Sequence, residues 1–82
     1  MKYTIKAEKV KDSWGETIGY KIGRYYLMKI ATWGNNYEWA INTTGRNHYF
    51  QCELREAIDS GELKFVVSYK IGRAAAEALN AQ

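Results

Sequence analysis

Lys29-Ile30-Ala31-Thr32-Trp33-Gly34-Asn35-Asn36-Tyr37-Glu38-Trp39-Ala40-Ile41-Asn42-Thr43, residues 29–43, carries the clearest structural signal in the chain. Tyr37, Trp39, Ile41 and Thr43 alternate with smaller or polar residues, the period of two that a strand with one buried face requires. Trp33-Gly34-Asn35-Asn36 supplies residues that tolerate positive φ between two such runs, so the spacing predicts a β-hairpin.

Upstream, Ile18, Tyr20, Ile22, Tyr26, Met28 and Ile30 recur at even positions, which predicts one long bent strand or two strands hinged near Gly23. Asp12-Ser13-Trp14-Gly15 reads as a turn, and Tyr3, Ile5 and Ala7 alternate as a first strand. Downstream, Thr44-Gly45-Arg46-Asn47 forms a second polar turn leading to a short edge strand at Tyr49-Phe50. From Gln51 the period becomes helical: Leu54, Ala57 and Ile58 share a face, Arg55 and Asp59 stand four apart on the other, and Gly61 suits a left-handed stop. Leu63, Phe65, Val67 and Tyr69 alternate again, and Ile71, Ala74, Ala75, Ala78 and Leu79 return to helical spacing. The expected fold is α+β, a small antiparallel sheet of three to five strands with two short helices on one face, in the order β-β-β-(β)-α-β-α. No proline or low-complexity linker interrupts it, so residues 1–82 are expected to form one compact domain. Its core is expected to draw on Tyr3, Ile5, Ile22, Met28, Ile30, Trp39, Ile41, Leu54, Ile58, Phe65, Val67 and Leu79.

A chain of 82 residues closes only one modest core and has little interior for a catalytic pocket. Its single cysteine, Cys52, and single histidine, His48, cannot build a disulfide or a cysteine-histidine zinc site. Cys52 reads as a small packing residue rather than a nucleophile, and Glu53 and Glu56 as a solvated helix face rather than a carboxylate pair. No glycine-rich phosphate loop and no H-E-x-x-H is present, so neither catalysis, a metal nor any other cofactor is expected. No apolar run approaches the roughly 20 residues of a membrane-spanning helix, and the Met-Lys-Tyr-Thr start lacks a signal-peptide core. The expected location is cytoplasmic, with no membrane partner.

The formal charge is +3, with six Lys/Arg against three Asp/Glu in residues 1–24 and four against five in residues 51–82. Aromatic residues reach 15%, more than so small a core accommodates, so some are expected at the surface. Tyr25, opposite the even-numbered run, and Trp14 and Trp33, in turns, are the candidates for exposure. With Lys21, Arg24, Lys29 and Arg46 they would anchor a protein interface or stack single-stranded bases. Gly15, Gly19 and Gly23, four apart, would strip side chains from the face that carries Lys21. Tyr20-Lys21-Ile22-Gly23-Arg24 recurs as Tyr69-Lys70-Ile71-Gly72-Arg73. Because the flanks diverge at once the repeat reads first as coincidence, and otherwise as two copies presenting Tyr, Lys and Arg to one anionic partner.

Ser60-Gly61-Glu62-Leu63 followed by Tyr69-Lys70-Ile71-Gly72-Arg73 resembles the helix-to-wing segment of excisionase-type winged helices, over about a fifth of the chain, which implies DNA binding. A helix-turn-helix partner is missing, and Arg73 opens an alanine-rich run where that family has a strand. In size and lack of motifs the chain also resembles short phage and mobile-element proteins, including anti-CRISPR-like inhibitors. The leading expectation is therefore a non-enzymatic accessory or inhibitor protein that occludes a protein or protein-nucleic acid complex. The alternative is direct DNA or RNA binding, with Lys21, Arg24, Lys70 and Arg73 on phosphates and Tyr25, Trp14 or Trp33 stacking. Exposed strand edges, above all near Tyr49, leave room for a homodimer.

Overall fold

The computed structural model describes residues 3–31 and 36–82. Five strands, β1 (Glu8–Lys11), β2 (Thr17–Ile22), β3 (Tyr25–Ala31), β4 (Tyr37–Asn42) and β5 (Leu63–Phe65), form one antiparallel sheet in chain order. Helix α1 (Gln51–Ser60) connects β4 to β5, and α2 (Tyr69–Asn80) follows β5. The α+β class and the element order are as the sequence predicts.

Short polar devices set the turns. Between β1 and β2 the Asp12 carboxylate accepts the N–H groups of Trp14 and Glu16 at 2.9 and 3.0 Å, and Gly15 takes φ +83°. β2 and β3 meet through Gly23-Arg24 alone, since Ile22 pairs with Tyr25; Gly23 has φ +63°, which suits the first position of a tight hairpin. Ala31 pairs with Tyr37, which establishes the hairpin of the opening stretch, although its Trp33-Gly34 turn lies outside the described residues.

The Gly23-Arg24 turn corrects the expected helix arrangement. In a two-residue hairpin, positions i and i+3 face each other, so Ile22 shares a side with Tyr25 and Leu27, whereas Tyr26, Met28 and Ile30 point the other way. The even-numbered apolar run is thereby divided between both faces, and each needs a cover. Met28, Ile30, Ala40 and Leu63 pack with Tyr49 and with Leu54 and Ala57 of α1. Ile22, Leu27 and Ile41 pack with Ala75, Ala76 and Leu79 of α2. The helices lie on opposite faces of the sheet, not on one.

Other boundaries also move. Tyr3, Ile5 and Ala7 alternate in burial but precede β1, and their segment docks on α2. Glu77 accepts the Thr4 N–H and hydroxyl at 3.0 and 2.8 Å and the Ile5 N–H at 2.9 Å, while Arg73 donates to the Ile5 carbonyl. A helix thus supplies the partners that a neighbouring strand was expected to supply. Tyr49-Phe50 is not an edge strand: Tyr49 is buried beside Asn42, whose amide donates to the Tyr49 hydroxyl and the Arg46 carbonyl and accepts from Gly45. Nor does a strand reach Tyr69, because the Ser68 hydroxyl accepts the Ile71 N–H and starts α2. Val67 and Ile58 are exposed rather than core residues, and Leu27, Ala40 and Leu63 take that place.

Gly19 alone of the glycines spaced four apart lies within a strand. A Cβ there would stand 2.7 Å from the Leu27 carbonyl oxygen and 2.9 Å from Met28 Cα, so Gly19 lets β3 and the Met28 side chain close over it. Replacement by Ala is expected to lower stability by about 1–3 kcal/mol through overpacking, read as a lower thermal midpoint. Glu77 supplies a second test. Partial burial pushes its carboxyl up, but the hydrogen bonds from Thr4 and Ile5 and the nearby Arg73 charge hold it below the ordinary glutamate range. Its contribution is therefore complete above the unfolded value of about 4.3 and is lost as pH falls through the lower folded value. Thermal unfolding of Glu77→Gln should show a shallower acid decline than the parent chain.

Candidate interaction surface

Strand register determines what each face presents. Lys9 pairs with Tyr20, Tyr20 with Leu27, Leu27 with Ile41 and Ile41 with Lys64, so these five share the α2 side of the sheet. The next row contains Lys29 paired with Trp39. Both strand carboxylates, Glu8 opposite Lys21 and Glu38 opposite Ile30, fall on the α1 side. Among the described strand residues, the α2 side therefore carries lysine without aspartate or glutamate.

α2 covers only part of this face. Gly72 lets it approach closely, since a Cβ there would meet Leu27 and lie 2.9 Å from Val66 Cγ2. At its far end, Asn80 donates to the Ile22 carbonyl at 2.8 Å and accepts the Arg24 N–H at 2.9 Å. At its N-terminus, Tyr69 joins Tyr20 and Trp39 in an aromatic cluster, edge-on to Tyr20 at 5.2 Å and to Trp39 at 5.4 Å. The Lys29 ammonium lies 5.5 Å from the Trp39 ring centre, within cation-π range. An open groove lined by Tyr37, Glu38, Trp39, Phe65, Val66 and Val67 adjoins the cluster. Val67 is 88% exposed, Tyr37 65%, Ile71 52% and Tyr69 37%.

The residues expected from sequence to form a site are dispersed. Lys29, over Trp39, belongs to this surface, and Lys70 is exposed in the first turn of α2. Trp14 is 89% exposed in the β1–β2 turn. Lys21 is exposed on the α1 side, its ammonium 5.9 Å from the Tyr26 ring. Tyr25 is half-buried, on the same side as Tyr20, which corrects its expected opposition to Tyr20. Arg24 donates to the Leu79 and Gln82 carbonyls at the end of α2. Arg46 pairs with Glu53 at 2.6 Å; the Arg46 hydrogen bond and the Phe50 N–H hold the Glu53 carboxyl low, and the same Glu53 hydrogen bond raises Arg46. Arg73 is 6% exposed, turned to the Ile5 carbonyl and the Tyr3 ring, so its guanidinium does not reach the surface for phosphate contact. Trp33 lies outside the described residues.

The repeated pentapeptide forms a strand and turn at Tyr20–Arg24 and a helix start at Tyr69–Arg73. Its two tyrosines touch, but its lysines and arginines do not occupy equivalent positions. Cys52 is exposed on α1, and His48 packs edge-on against Phe50. Among the described residues no group of three or more His, Cys, Asp or Glu is placed to hold a metal, and no helix is long and apolar enough to cross a membrane. No protein-family model matches the chain, nor does any curated protein or solved structure.

Sequence reasoning missed Tyr69 and Val67 as surface residues, while Trp39, expected in the core, is half-buried against it together with Tyr20. The parity of Trp39 with Ile41 was visible, but what lay above it depended on the Ser68 cap, which brings Tyr69 onto the cluster.

Proposed function

We propose that this chain is a non-enzymatic binding protein that docks on a macromolecular partner and occludes it, in keeping with its resemblance to short phage and mobile-element inhibitors. A component of a nucleic-acid-handling complex is the partner class that resemblance suggests. The supporting observation is the apolar surface around Trp39, where Tyr37 and Val67 line an open groove and Tyr69 packs against Trp39, all three exposed, with Ile71 exposed further along α2. Such a surface costs solubility unless something covers it, and aromatic anchors bordered by lysine have the composition of interface hot spots.

Direct nucleic-acid binding is the second reading, and the Lys29–Trp39 contact, on a sheet side whose described strand residues include no aspartate or glutamate, favours it. Against it, Lys21 and Tyr25 lie on opposite sides of the sheet, and Arg24 and Arg73 are already engaged within the chain.

The test is recovery of tagged protein from its native cells, with the partner quantified. Stoichiometric recovery that falls about tenfold or more in Val67→Asp and Ile71→Asp, both exposed, with thermal midpoints little changed, supports the proposal. Recovery indifferent to both changes, or abolished by nuclease, overturns it.

A further inference from the structure

We infer that the surface around Trp39 recognises a short acidic segment of a protein in which carboxylates flank aliphatic or aromatic side chains. This deepens the binding reading above and rests on it. Three observations lead there, each on a different property of the surface.

The first is charge. Lys9, Lys29 and Lys64 stand on the α2 side of the sheet, Lys70 is exposed at the start of α2, and both strand carboxylates are on the opposite side. Glu77, the acidic residue of α2, is occupied by the Thr4 and Ile5 donors. The groove itself contains one carboxylate, Glu38. The surrounding field selects an anionic partner and repels a cationic one.

The second is the chemistry of the exposed carbon. Val67 and Ile71 have no π-system to stack a base and no donor for a phosphate, yet both are exposed, Val67 in the groove beside Trp39 and Ile71 in the first turn of α2. Their burial is favourable when the partner brings apolar side chains of its own.

The third is the state of the rings. Tyr20, Trp39 and Tyr69 pack against one another edge-on or at 29°, and Lys29 lies over Trp39, so the cluster offers a consolidated apolar floor rather than separate open ring faces. Single-strand binders instead hold rings free for successive bases. Charge alone fits a nucleic acid equally well; the exposed aliphatics and the filled rings favour a protein segment.

The experiment selects a random-peptide display library against the full chain, with the Val67→Asp protein as counter-selection, and measures titrations by the Trp39 indole N–H resonance. The expected result is enrichment of peptides combining Asp or Glu with aliphatic or aromatic residues. A synthetic copy should move the Trp39 signal, and its dissociation constant should rise about tenfold in Lys29→Glu and also with added salt. No enrichment, enrichment without acidic residues, or a Trp39 signal unmoved by the selected peptide overturns the inference. So does a thymidine homo-oligonucleotide that moves Trp39 and binds more tightly than any selected peptide, which would make nucleic acid the occupant. Loss of the native partner in Val67→Asp, alongside failure of acidic peptides, would leave the binding surface standing and remove only the partner chemistry assigned here.

Discussion

The turn at Gly23-Arg24 is two residues long, and that length determines which side chains meet. Because Ile22 pairs directly with Tyr25, Ile22 and Leu27 fall on one side of the sheet and Met28 and Ile30 on the other. A sheet apolar on both sides must be covered twice, and the two helices satisfy that requirement from opposite directions. The same turn also receives α2. Asn80 binds the Ile22 carbonyl and the Arg24 N–H, and a Cβ at Gly23 would run into the Asn80 amide. One glycine therefore serves both a left-handed backbone and the close approach of a helix end.

From that anchor α2 becomes the element to which distant segments are attached. Its C-terminal end holds the hairpin, Gly72 seats it on Leu27, and Arg73 and Glu77, one turn apart, hold the chain near Ile5. Among the described residues no carboxylate hydrogen-bonds the buried Arg73 guanidinium, which instead donates to the Ile5 carbonyl and lies against the Tyr3 ring. What α2 leaves uncovered is as much a result of its placement as what it buries. Its start at Tyr69 ends the cover at the Trp39 cluster, so the exposed surface and the closed core are two ends of one docking geometry.

The period of the side chains made most of the elements legible. Alternation in 37–43 located β4, helical spacing from Gln51 located α1, and Gly61 marked its stop at φ +82°. Periodicity reports which residues are buried but not against what, which is why Tyr3–Ala7 alternated correctly while lying on a helix. It is also blind to a change of face across a tight turn, and this hid the two-sided sheet. The local pattern at Val67 and Tyr69 continued a strand, yet one Ser68 hydroxyl bond ended it. The site was less legible because charged residues chosen one at a time, such as Arg24 and Arg73, found partners inside the fold, and only Lys29 and Lys70 stayed near the cluster. The repeated pentapeptide shows the same dominance of context: identical residues became strand and turn in one place and helix in the other.

The outermost strands have a further consequence. β1 presents Glu8, Lys9 and Lys11 along a boundary whose register slips between Val10 and Lys11, and β5 is only three residues long. A passing extended chain finds charge and an irregular ladder on one side and too few backbone groups on the other. The protein thereby keeps an oily patch in water while denying fibril growth the straight, open template it requires.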